Sequence, residues 1–73
     1  MSREMTFFMY LTERYAEYKG TTTGEVLKAW DALGITEKIY SLYELYHTEA
    51  IENAFIDIDR LTKEAKATGV ASE

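Results

Sequence analysis

The chain has 73 residues, no cysteine, a net charge of −5, and one tryptophan, six tyrosines and three phenylalanines. That length allows one domain, and the missing cysteines exclude a disulfide staple or a thiolate metal site. Interspersed charges with an acidic balance argue against a nucleic-acid surface or an anionic membrane surface, and no apolar run approaches the ~18 residues of a membrane span.

A chain this short buries only about 60% of its unfolded surface. Dense aromatic packing and self-association are the routes left to stabilise it. Met1-Ser2-Arg3-Glu4 mixes charges early and has no signal-peptide core, so cytoplasmic residence is expected.

Ser2 can cap a first helix, with Glu4 in the favourable first turn. It is predicted to run to about Tyr18 or Lys19. Met5, Phe8, Leu11, Thr12 and Tyr15 share one face at helical spacing, and Arg3, Tyr10, Glu13, Arg14 and Glu17 fill the opposite side. Gly20 supplies the left-handed residue that commonly ends a helix. Thr22 and Glu25 fit a capping box for a second helix, which carries a stripe of Val26, Ala29, Trp30 and Leu33 and stops at Gly34.

Thr36 is expected to cap a third helix, Thr36 to His47. Ile39, Leu42, Tyr43 and Tyr46 form the centre of its apolar arc, Leu45 closes one edge, and Tyr40 and His47 close the other. So wide an arc must be covered by several neighbours, and this helix is expected to be the most buried.

Residues 49–67 read two ways. Ile51, Ala54, Phe55, Ile58, Leu61 and Ala65 favour one helix, whereas Phe55 to Asp59 alternates like an extended segment. A single helix strands Ile56 on the polar side, and Asp57 is a better N-cap than helix interior. An extended segment followed by a shorter helix is therefore preferred. Gly69 is expected to end the domain (1–69), leaving residues 70–73 as a frayed tail. The fold class is all-α, a compact four-helix single domain.

The aromatic-rich third helix ends in Tyr46-His47-Thr48, and a spacer leads to Asp57-Ile58. Upstream, Gly24-Glu25-Val26 precedes Trp30 and Gly34-Ile35. This pattern resembles the uncharacterised bacterial family called domain of unknown function 3791, over roughly Met5 to Leu61. Members often show Leu-His-Thr at the end of the third helix and Asp-Ile opening the last. Here Tyr46 replaces the Leu, and the spacer lacks a glycine often seen there. The family has no established activity. Its members are often encoded beside ADP-ribosyltransferase-like proteins, so the resemblance implies a protein partner and no reaction.

His47 is the only histidine, and with no cysteine it lacks the convergent partners of a metal site. Its expected role is structural: His47 and Thr48 end the third helix, and His47 ties it to the Asp57 turn. The resemblance pairs the same two positions. Asp57 and Asp59 read more simply as dipole-stabilising residues at a helix start than as an acid–base pair. Tyr15, Tyr43 and Tyr46 lie within apolar stripes. Phe7, Tyr10 and Tyr40 sit at edges or on a polar face and are the candidate interface residues.

Glu37 and Glu44 on the outer face of the third helix disfavour a DNA-reading helix-turn-helix. No phosphate loop, nucleophile triad or metal motif is present, so no catalytic, cofactor-binding or metal-binding residue, and no small-molecule substrate, is expected. The expected function is a non-catalytic protein–protein interaction module, with a protein partner or as a homodimer. The alternative is an antitoxin or immunity-like partner of a neighbouring toxin-type, ADP-ribosyltransferase-like enzyme.

Overall fold

Two glycines punctuate the first half of the chain. Gly20 (φ 71°) and Gly34 (φ 73°) both adopt left-handed backbone, where a Cβ is strained. In the computed structural model, which describes residues 1–68, they end α1 (Arg3–Lys19) and α2 (Thr23–Leu33). Each closes its helix with amide donation back to the last-turn carbonyls: Thr21 N–H to Ala16 at 2.9 Å, and Ile35 N–H to Trp30 at 3.0 Å. The N-termini are capped by Ser2 Oγ, accepting from Met5 N–H at 3.1 Å, and Thr22 Oγ1, accepting from Glu25 N–H at 3.2 Å.

The third predicted helix is two helices, α3 (Thr36–Ser41) and α4 (Tyr43–Tyr46), so the described residues form five helices rather than four. Ser41 Oγ donates to the Lys38 carbonyl at 2.7 Å, the acceptor that the Leu42 amide would use in a regular helix. The Leu42 amide instead donates to Ile39 at 3.1 Å, tightening the turn. Tyr46, central to the expected arc, is buried, and Leu45 at its edge is 50% exposed. Burial does not set this stretch apart: Ile39 and Tyr46 are buried, while Leu45 and His47 are exposed. Thr36 is not the cap either. Ile35 holds that position without a side-chain bond, and Thr36 Oγ1 donates to Asp31 Oδ1 at 2.5 Å.

The preference for a broken segment after His47 is also corrected. Helix α5 runs unbroken over Ile51–Ala67, and Asp57 lies inside it. Ala50 occupies the N-cap position, with no side-chain bond. Two effects outweigh the poor helix propensity of aspartate. The stripe buries Ala54, Phe55 and Ile58, and tyrosine donors elsewhere in the chain occupy both aspartate side chains, so neither competes for the local backbone. The expected end at Gly69 and the tail at 70–73 lie outside the described residues.

Trp30 is at the centre of the packing. Phe8 and Tyr15 of α1 lie on it, with ring centroids at 5.9 and 5.6 Å, and Phe55 of α5 meets Tyr15 edge-on at 5.7 Å. Helix α2 packs against α1, α3 and α5, and α4 bridges α1 and α5. Ala29 and Met5, expected in buried stripes, are exposed. The radius of gyration is 11.8 Å, close to the ~11 Å of a compact chain of this length.

Candidate functional site

Asp57 and Asp59 flank the fully buried Ile58 on α5. Residues two apart on a helix point about 200° from each other, so the two carboxylates reach different helices. Asp57 accepts a hydrogen bond from the Tyr46 hydroxyl of α4, and one from Arg60 at 2.5 Å. Asp59 accepts from the Tyr15 hydroxyl at 2.5 Å and the Tyr18 hydroxyl at 3.0 Å, and lies 3.2 Å from Lys19 Nζ.

Burial pushes both carboxyls up. Hydrogen bonds from Tyr46 and Arg60 outweigh it at Asp57, and those from Tyr15, Tyr18 and Lys19 outweigh it at Asp59, so both sit below the ordinary value. Burial and then the neighbouring carboxylate raise the Tyr15 and Tyr46 phenols. Neutral phenols thus donate to ionised carboxylates, and the chemistry of this cluster is to clasp α1 and α4 onto α5.

His47 is not in the clasp. Its Nδ1 lies 2.6 Å from the Tyr43 carbonyl oxygen, and its ring stacks on Tyr43 at 4.1 Å and 3°. The expected tie from the end of the third helix to Asp57 exists, but Tyr46 makes it, one residue earlier. The signal was a tyrosine placed in an apolar stripe: a buried hydroxyl requires a partner. Thr48 Oγ1 donates to Leu45 at 2.9 Å and closes the end of α4.

Away from the clasp, the surface carries a cluster of aromatic rings. Phe7 lies 6.4 Å from Tyr10 and meets Tyr43 edge-on at 5.7 Å; His47 lies 6.5 Å from Phe7. These four rings form one patch across α1 and α4. It borders a groove of about 380 Å³ that Arg3 and Thr6 also line. Tyr10 is 49% exposed, and Phe7 and Tyr43 are half-buried. Two expected interface residues, Phe7 and Tyr10, are brought together. The third, Tyr40, packs on Phe8 at 5.4 Å and is not part of the patch. Tyr43, expected at the centre of the apolar arc, is only half-buried, and His47, expected at its edge, is exposed.

Farther along α1, Tyr18 stacks on Phe55 at 4.8 Å. Around it a groove of about 520 Å³ is lined by Arg14, Glu17, Glu52 and Ile56. Ile56 is 66% exposed, the stranded position foreseen for a continuous helix.

Among the described residues, no group of three or more His, Cys, Asp or Glu side chains could hold a metal ion. Among the same described residues, no helix is long and apolar enough to cross a membrane. A family model described as "Protein of unknown function (DUF3791)" matches residues 6–65. No curated protein and no solved structure matches the chain.

Proposed function

We propose that this chain, which belongs to the DUF3791 family, is a non-catalytic protein–protein interaction module. Its contact face is the patch of Phe7, Tyr10, Tyr43 and His47. The observation that carries this reading is the half-exposed clustering of those rings beside a groove. Rigid aromatics anchor protein interfaces at low entropic cost. The partner is a second copy of the chain or another protein. An immunity-like partner of a toxin-type enzyme is one instance, and the net charge of −5 suits a basic face on such an enzyme.

The test is comparative capture by wild type and Tyr10→Ala, both shown to be folded by circular dichroism. A differently tagged second copy is included among the proteins offered. The reading predicts a protein retained by wild type and lost by the variant. Equal retention by both, or retention of nothing, contradicts it.

A further inference from the structure

Arg3, Phe7, Tyr10, Arg14 and Glu17 follow one another along α1 at alternating steps of four and three. That spacing keeps five side chains on one narrow seam, the geometry by which two helices pack at about 20°. The seam faces outward: Arg3 and Tyr10 are exposed, and the Arg14 and Glu17 side chains are 49% and 70% exposed. Its aromatic residues lie in the middle, with Arg3 at one end and Glu17 at the other.

We infer that a second copy of the chain covers this seam, its α1 laid antiparallel across a two-fold axis at Tyr10. The inference rests on the interaction reading above and specifies its partner. Charge complementarity selects this arrangement. With Tyr10 on the axis, Arg3 meets the partner's Glu17 at both ends, and Phe7 meets the partner's Arg14, a cation facing a ring. A parallel pairing sets Arg14 against Arg14 and Glu17 against Glu17, and like charges repel.

The flanks fit the same pairing. Tyr43 and His47 stand beside Phe7, and Ile56 and Glu52 line the groove beside Arg14 and Glu17. That groove carries two carboxylates, Glu17 and Glu52, against one guanidinium, Arg14, which pairs with Glu17 at 3.3 Å within α1; the excess negative charge receives the partner's Arg3, and Ile56 acquires a cover.

The test uses the full chain and two charge reversals, Arg3→Glu and Glu17→Arg, measured by sedimentation equilibrium into the high micromolar range. Each single variant places like charges at both ends of its own dimer, and its dissociation constant should rise roughly tenfold. An equimolar mixture restores opposite charges at both ends and should form a heterodimer of near wild-type affinity. Both positions are exposed, and melting curves check that the variants fold.

Single variants that dimerise like wild type, or a mixture that fails to recover, overturn the antiparallel seam. A monomeric wild type that still captures another protein through Tyr10 also overturns it, while leaving the interaction reading intact. A wild type that neither self-associates nor captures anything overturns both.

Discussion

Tyr46 donates its hydroxyl hydrogen to Asp57, eleven residues along the chain, and so joins α4 to α5. The phenol is almost wholly buried, and the carboxylate is also held by Arg60. Removing the hydroxyl leaves a partly buried charge short of one donor. Tyr46→Phe should therefore cost about 1.5–3 kcal/mol, the range for a hydrogen bond to a charged group. Urea denaturation measures it. A midpoint unchanged from wild type would show that the clasp contributes nothing.

His47 makes the complementary case. It is exposed, and its ring nitrogen bonds only within its own turn, to Tyr43. His47→Gln should stay within about 0.5 kcal/mol of wild type, the range for surface substitutions. A loss as large as that of Tyr46→Phe would restore histidine to the role the sequence suggested for it.

The two carboxylates predict a pH dependence. Asp57 and Asp59 are held below their ordinary value in the fold. Their contribution is thus present above the unfolded pKa, about 4, and is lost as pH falls through the folded one. The Tyr15 and Tyr46 phenols are raised, so their share is present below about pH 10 and is lost as pH rises through the folded value. Wild type and a Tyr15→Phe, Tyr46→Phe double variant should differ most near neutrality, with the gap narrowing at both extremes. Thermal melts across pH test this, and a gap constant into strong acid would contradict it.

Trp30 is 2% exposed and touches rings from α1. Trp30→Ala should cost ~3–5 kcal/mol, a large part of what holds a domain of this size. A denaturation midpoint close to wild type would contradict the packing described.

These residues mark where the sequence is readable and where it is not. Ser2, Thr22, Gly20 and Gly34 act locally, through their own backbone or the next turn, so the bounds of α1 and α2 can be read directly. The stripe of Trp30 is equally plain. The break at Leu42 coincides with a serine hydroxyl bonding the Lys38 carbonyl, and nothing in the periodicity reveals it. Within the continuous α5, Asp59 is engaged by Tyr15 and Tyr18, more than forty residues away. Local propensity favoured a cap at Asp57 because it takes no account of the Tyr46 hydroxyl, on another helix, that occupies the Asp57 carboxylate. Of the candidate surface, Phe7 was legible as an edge aromatic, Tyr10 as an aromatic on a polar face and His47 as an edge residue, whereas Tyr43 was read as core and is half-buried.

The proposed protein contact face is the patch of Phe7, Tyr10, Tyr43 and His47. Amide chemical shifts of isotope-labelled chain test it most directly. They would be recorded as unlabelled chain, or a protein retained by wild type and lost by Tyr10→Ala, is added. The account predicts changes centred on Phe7 to Tyr10 and on Tyr43 to His47, with the Lys28 and Ala32 side of α2 unmoved. Shifts centred on that α2 side, or no shift on the patch when binding is evident by mass, would contradict it.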